Sequence, residues 1–252
     1  MVSSTPGMVR PTVFKSFPQL FATETTRHGG VSAPPFDSLN LGNFTEDIEE
    51  HILENRRRVL LAAGFQEGSL VFARQVHGAD LHFATSAGCA DGFDALISSK
   101  KGLLLGVTVA DCTPVLVFDA VNEVVAAVHA GWKGTVAGIV SKTLAAMETS
   151  YGSRGENCFA YIGTCIDECD FEVGEEVAKQ FAPQYKHFYP KSNKFHVNLK
   201  TANFIQLTDF GIPPVQIEIS PRSTFSDVKN YYSFRAEHGK TGRFMGLIGL
   251  YP

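Results

Sequence analysis

The stretch CTPVLVFDAVNEVVAAVH, residues 112–129, predicts a β-hairpin with a cysteine at one end and a histidine at the other. Two apolar runs rich in β-branched residues flank a short polar segment, which is typical of two strands joined by a tight turn. If residues 120–121 form a two-residue loop, Cys112 and His129 face each other with Cβ atoms roughly 4.5–5.5 Å apart. A left-handed Asn122 with a bulge shifts this register by one residue, so both registers remain open.

A second histidine also stands where an apolar run stops. His77 follows the strand-like run 70–76, Cys112 follows the run 103–109, and His129 closes the hairpin. Imidazole nitrogen and thiolate sulfur suit Zn²⁺, and three protein ligands leave a fourth position for water or substrate. The three residues therefore predict a zinc site, which copper also fits because Cu²⁺ lies above Zn²⁺ in the affinity order.

The same three residues allow other interpretations. Histidines at strand ends are commonly structural, and a cysteine after an apolar run is commonly a small buried hydrophobe. Cys112 is alternatively a nucleophile with His129 or His77 as its base, as in cysteine hydrolases. A zinc deaminase requires a glutamate as proton shuttle, and none follows either histidine directly.

Composition narrows the class of protein. The chain has 252 residues, 44% of them hydrophobic and 19% charged, with a formal net charge of −4. This balance is typical of a globular protein and gives no general attraction to nucleic acid or to anionic membranes. No 18-residue apolar run is present, so no membrane span is expected. Five cysteines without dense spacing fit reduced thiols and a cytoplasmic location.

The order of the predicted elements favours a single α+β domain with mixed β-sheets flanked by helices. The segment 1–10 is rich in Ser, Thr, Pro and Gly and is expected to be a disordered tail, which leaves 11–252 as the domain. Helical spacing predicts one helix over 47–63 and another over 136–147. Strands and helices do not alternate with a βαβ rhythm, which argues against a Rossmann-type fold.

The chain resembles the YfiH family, also called the laccase-domain or polyphenol oxidoreductase family. The resemblance rests on short blocks that recur in order over nearly the whole chain. They are RHGGVS (27–32), FDSLNLG (36–42), NR (55–56), QVHG (75–78), ADG (90–92), ADC (110–112), VHAGW (128–132), EVG (172–174) and TGR (241–243).

This resemblance implies a zinc enzyme that acts on purine nucleosides. It places the zinc ligands on His77, Cys112 and His129, which would then serve the catalysis as well. It implies phosphorolysis of adenosine, inosine and guanosine, with adenosine deaminase and methylthioadenosine phosphorylase activities also attributed to the family. The implied fold is an α/β sandwich similar to that of the cytotoxic necrotizing factor toxins, which are cysteine-dependent deamidases.

Substrate contacts are expected from polar residues in or near these blocks. Glycines and free backbone N–H groups at the helix start 133–135 favour phosphate binding. The residues expected to contact nucleoside or phosphate are Arg27, Asn40, Arg56, Gln75 and Lys133.

Three alternatives to a phosphorylase remain at this stage. Similarity of bacterial relatives to a peptidoglycan-editing factor favours a Cys–His hydrolase or amidase acting on cell-wall precursors. A second alternative is a copper-dependent polyphenol oxidase. However, eight histidines without a single His-x-His pair cannot build a conventional multicopper centre. The third is a non-catalytic module that binds nucleosides or a partner protein.

Overall fold

A computed structural model describes residues 5–190 and 192–252, whose strands form two six-stranded sheets and one three-stranded sheet. The strands are β1 (Met8–Val9), β2 (Leu20–Thr25), β3 (Leu70–Arg74), β4 (Leu81–Phe83), β5 (Gly88–Asp91), β6 (Ala95–Ser98), β7 (Leu104–Val109), β8 (Thr113–Asp119), β9 (Val124–Ala130), β10 (Cys158–Ile162), β11 (Glu172–Val173), β12 (Lys186–Tyr189), β13 (Lys194–Val197), β14 (Ile217–Ile219) and β15 (Phe244–Leu250). The helices are α1 (Glu49–Ala63), α2 (Trp132–Val136), α3 (Ile139–Tyr151), α4 (Glu175–Ala178) and α5 (Leu199–Asp209).

The two large sheets pack face to face, and helices cover both outer faces. The first sheet has the order β1-β2-β15-β7-β3-β5, and the second has the order β14-β10-β8-β9-β6-β4. Side chains alternate along each strand, so Leu116 and Phe118 of β8 enter the core between the sheets, whereas Val115 and Val117 pack with α3 and α5. On the other side, α1 packs on the first sheet. The expected mixed sheets flanked by helices are therefore confirmed.

The hairpin from β8 to β9 exists, but its register differs from the prediction. Pro114, not Cys112, is the residue paired with His129. The loop holds four residues, 120–123, because the carboxylate of Asp119 accepts the N–H groups of the second and third loop residues and stabilises a wider turn. Glu123, with φ of +50°, takes the left-handed conformation that the alternative register placed at Asn122.

Two other boundaries also differ. The tail predicted over 1–10 is wrong for Met8 and Val9, which pair with the edge of β2, while residues 1–4 lie outside the described residues. The helix predicted over 136–147 begins at Ile139, because Gly138 has φ of +72° and separates it from α2. No helix in the described part of the chain has the length and apolar character needed to span a bilayer.

Candidate metal centre and its cavity

Three strand ends bring the predicted ligands together. β3 and β7 are parallel neighbours in the first sheet. The turn with His77 and the turn with Cys112 therefore follow the C-terminal ends of adjacent strands, on the same side of the sheet. β8 begins directly after Cys112 and pairs with β9, whose penultimate residue is His129. One ligand atom from each of the three side chains lies within 4.8 Å of the others. The structure therefore assembles His77, Cys112 and His129 in one cluster.

The turn that carries His77 is held by a buried carboxylate. His77 has φ of +58°, a conformation that costs free energy for a residue with a side chain. Asp94 offsets this cost by accepting the backbone N–H groups of Val76 at 3.2 Å, His77 at 3.0 Å and Gly78 at 2.7 Å. The imidazole of His77 is thereby presented to the cluster by a fixed backbone.

A second carboxylate holds the turn that carries Cys112. Asp111, directly before it, has φ of +87°. The Asp111 carboxylate accepts hydrogen bonds from the hydroxyls of Thr224 and Ser233, at 2.6 Å and 2.7 Å, and from the backbone N–H of Arg235 at 2.7 Å. The loops before β15 therefore help to position the cysteine.

His129 is oriented by the same Asp94. Burial works to raise the pKa of Asp94, but its contacts with His129 and with the turn amides outweigh burial and hold that pKa below its usual value. The ionised carboxylate accepts a hydrogen bond from Nδ1 of His129 at 2.8 Å. Nε2 of His129 is then the nitrogen left free to bind a metal, an arrangement common around metal-ligating histidines.

The electrostatics of the cluster favour a thiolate. Burial alone would raise the pKa of Cys112, but the charge and hydrogen bonds of His129 and the hydrogen bond of His77 lower it to about 6. Conversely, burial disfavours the protonated form of His129, yet Cys112 and Asp94 raise its pKa to about 9. A thiolate is the form of cysteine that ligates metals.

The space beside the cluster also fits a metal site. A Cβ atom at position 131 would lie 3.1 Å from Sγ of Cys112 and 3.3 Å from Cδ2 of His77, so Gly131 leaves room that any other residue would fill. Two imidazoles and a thiolate within 4.8 Å match the ligand types that bind zinc and copper. The residues present therefore fit a metal ion.

A cavity of about 410 Å³ opens onto the cluster. Its other walls come from the loop 42–45, the turn at Gln75, the start of α2 and the segment before β15. The lining includes the aromatic side chains of Phe44, Trp132 and Phe234 and the cationic side chains of Arg235 and Arg243.

Two arginines bring positive charge to this cavity. Nη1 of Arg243 donates to the carbonyls of Thr241 and Gly242, both at 2.8 Å, and no carboxylate lies within 4.0 Å of its guanidinium among the described residues. Burial lowers the pKa of Arg243, and this outweighs the opposite effect of the negative groups of Cys112, Asp111 and Glu237. Arg235 is exposed and donates to the carbonyl of Glu172 at 3.1 Å. An anion in the cavity would meet two guanidinium groups.

Of the five expected substrate contacts, only Gln75 lines this cavity. Its side-chain amide is already engaged with Thr108. Nε2 donates to the carbonyl oxygen at 2.8 Å, and Oε1 accepts both the backbone N–H and the hydroxyl at 2.8 Å. Gln75 therefore ties the end of β3 to β7 and positions the turn with His77.

The structure does not bring the other four expected side chains to the cavity. Arg27 donates to the backbone of Asp37 and pairs with a glutamate, and Asn40 is buried within its own loop. Arg56 donates to the carbonyl of Leu41 and lies over a phenyl ring on the far side of the first sheet. Lys133 is exposed on α2, which has only five residues. Arg27, Asn40 and Arg56 are therefore engaged with neighbouring loops of the protein, and Lys133 is exposed to solvent.

Two residues of the site were missed from the sequence. Asp94 lies two residues beyond the ADG block at 90–92, and no spacing rule links it to His129. Arg243 lies within the TGR block, which was a usable signal, but only the fold shows that its guanidinium reaches the cluster's cavity.

The family model described as "Multi-copper polyphenol oxidoreductase laccase" matches residues 21–251. A Deinococcus radiodurans protein named purine nucleoside phosphorylase is 37% identical over 228 residues, which cover 90% of this chain and 87% of the relative. The Escherichia coli protein named purine nucleoside phosphorylase YfiH is 36% identical and covers 91% and 93%. The crystal structure of Bacillus licheniformis YfiH superposes with a TM-score of 0.91 at 32% identity, covering 97% of both chains. This chain therefore belongs to the YfiH, or laccase-domain, family.

Proposed function

We propose that this protein is a metal-dependent purine nucleoside phosphorylase that converts adenosine, inosine or guanosine and phosphate into free base and ribose-1-phosphate. The observation that carries the proposal is the shared cavity, in which the cluster of His77, Cys112 and His129 meets the guanidinium of Arg243. The relatives named purine nucleoside phosphorylase support the same reaction.

We assign the metal to His77, Cys112 and His129, with zinc as the ion and copper as the alternative occupant. These residues would hold the ion, and its Lewis acidity would be available to polarise an oxygen atom in the cavity. Asp94 acts through His129 and the turn of His77 and is a positioning residue.

Phosphate is held by the two arginines. The planar guanidinium of Arg243 suits two oxygens of one phosphate, and Arg235 adds charge at the exposed side. Held there, a phosphate oxygen attacks the anomeric carbon of the ribose, and the bond from that carbon to the purine nitrogen breaks. The base leaves with the bonding electron pair and takes up a proton.

The same cavity is proposed to accept two related reactions. Methylthioadenosine differs from adenosine at the ribose end, so its phosphorolysis uses the same bond and the same phosphate site. In adenosine deamination, water would add to C6 of the purine ring, ammonia would leave, and inosine would remain. All five cysteines are free thiols in the structure, which supports the cytoplasm as the compartment of the enzyme.

The test combines metal analysis with turnover. Purified protein, with and without chelator, is incubated with each nucleoside in the presence or absence of phosphate, and the products are resolved by chromatography. We expect about one zinc per chain, phosphate-dependent release of base and ribose-1-phosphate, and loss of both in His77→Ala. His187→Ala, at an exposed position on β12, is the matched control. Full turnover together with full zinc content in His77→Ala would contradict the assignment.

One arrangement of side chains favours a second candidate function for the same site. Cys112, His129 and Asp94 form a nucleophile, a base and an orienting carboxylate in series, the arrangement of cysteine hydrolases. This candidate is an amidase acting on amide bonds such as those of peptidoglycan precursors. It predicts activity that survives chelation and is abolished by iodoacetamide, whereas the phosphorylase predicts loss of activity on chelation.

Copper-dependent polyphenol oxidation is not favoured by the donor count. Within residues 5–190 and 192–252, a single group of three or more His, Cys, Asp or Glu side chains has metal-ligand spacing. A centre with several coppers needs more imidazoles than this cluster offers.

A further inference from the structure

Two exposed phenylalanines line the cavity that holds the metal cluster. Phe44 is 64% exposed and Phe234 is 51% exposed, and both are among the lining side chains. Among the described residues neither ring packs against another aromatic ring. Large apolar side chains left uncovered beside a cavity are characteristic of ligand-binding surfaces.

The loop that presents Phe44 is held rigidly. Oδ1 of Asn40 accepts the backbone N–H groups of Gly42 at 3.1 Å and of Arg243 at 2.9 Å, and its Nδ2 donates to the hydroxyl of Thr45 at 2.9 Å. A Cβ at Gly42 would lie 2.7 Å from Cγ of Arg243, so the loop lies directly against that side chain. Phe44 is therefore exposed on a fixed backbone, as a preorganised contact requires.

Phe234 is held by the turn that also positions Cys112. Its neighbour Ser233 donates to Asp111 at 2.7 Å, and the guanidinium of Arg243 lies 5.6 Å from the centre of the Phe234 ring. The anion-binding group and an aromatic surface are thus adjacent in the cavity.

Several polar side chains that line the cavity are already engaged with other protein groups. Gln75 and Thr108 satisfy each other, and the carboxylate of Asp111 accepts three hydrogen bonds. Asn43, the exposed neighbour of Phe44, adds one amide to this part of the cavity, while the two phenyl rings are offered to the faces of a planar ligand.

We infer that Phe44 and Phe234 are the surfaces on which the purine base stacks, and that stacking on them makes the site tolerant of the base. The inference rests on the proposed function, since it assumes a nucleoside as the ligand. Every purine offers the same kind of aromatic face, so stacking holds adenine, hypoxanthine and guanine without distinguishing their edge groups. The Michaelis constants for adenosine, inosine and guanosine should then be similar.

The decisive variants are Phe44→Ala and Phe44→Tyr, with Phe188→Ala as the matched control. Phe188 is 49% exposed on β12, outside the cavity. We expect Phe44→Ala to raise the KM for each nucleoside about tenfold, the scale of losing one base–aromatic stack. The KM for phosphate and the zinc content should not change. Phe44→Tyr retains the ring and should raise the KM for each nucleoside much less than Phe44→Ala does.

A binding measurement separates this inference from the proposed function. Trp132 is the only tryptophan of the chain and lines the cavity, so its fluorescence reports adenosine binding without turnover. Binding without phosphorolysis, weakened in Phe44→Ala, would contradict the phosphorylase but support base stacking. An unchanged KM and Kd in Phe44→Ala, or no adenosine binding by the unsubstituted protein, would overturn the inference.

Discussion

Oδ1 of Asp94 accepts a hydrogen bond from Nδ1 of His129 at 2.8 Å, and the same carboxylate binds three backbone N–H groups of the turn that carries His77. One buried side chain therefore orients two of the three proposed metal ligands. Its charge also favours the tautomer of His129 that leaves Nε2 free.

Asp94→Asn is expected to lower the affinity for zinc by about 10–100-fold, the usual effect of removing the partner of a metal-ligating histidine. An amide cannot supply the negative charge that fixes the tautomer of His129, and it has one acceptor oxygen instead of two. Competition with a chromophoric chelator measures the affinity. The control is Asp91→Asn, at an exposed carboxylate paired with Arg74. Equal zinc affinity in both variants would contradict the role of Asp94.

Arg243→Lys is expected to raise the KM for phosphate about tenfold or more, because an ammonium group cannot bind two phosphate oxygens as a planar guanidinium does. The KM for nucleoside should change little. Initial rates at varied phosphate concentration measure the effect. Arg222→Lys, at an exposed arginine paired with Asp227, serves as control. An unchanged KM for phosphate in Arg243→Lys would remove this side chain from the phosphate site.

In metal-free protein, alkylation of Cys112 by iodoacetamide is expected to persist to lower pH than alkylation of any buried cysteine. Its pKa is lowered to about 6, so the reactive thiolate is present above that pH and is lost as pH falls through it. Burial raises the pKa of Cys158 and Cys165 to about 12, so both remain thiols near neutral pH. Peptide mass spectrometry separates the sites. If Cys112 reacted no faster than Cys158, its thiolate would not be stabilised.

Phe118→Ala is expected to lower the free energy of unfolding by about 3–5 kcal/mol, because it leaves a cavity between the two large sheets. Phe118 is fully buried there and packs edge-on against Phe17. Urea unfolding measures the change. Val215→Ala, at a side chain that is 90% exposed, should stay within about 0.5 kcal/mol. Similar losses in both variants would show that the inter-sheet core does not dominate stability.

Much of the local structure could be predicted from the sequence. Helical spacing predicted a helix over 47–63, and α1 spans Glu49–Ala63. The hairpin register could not be predicted, because Asp119 caps a longer turn than the two-residue loop that was assumed. The predicted register differs from the observed one by two residues. Because side chains alternate between the two faces of a strand, a shift of two leaves each side chain on the face that was predicted.

The choice of His77, Cys112 and His129 depended on ligand chemistry and on where apolar runs stop, and both are properties of the sequence by itself. The sequence also determined where most strands and helices form, because the spacing of apolar residues over a short stretch decides which faces of a helix or strand can be buried. Only the tertiary structure decided that Asp94 supports two ligands, that Arg243 meets the cluster, and that Arg56 does not. These relationships join residues distant in the chain, and the distances between them follow from how two sheets pack rather than from any local preference.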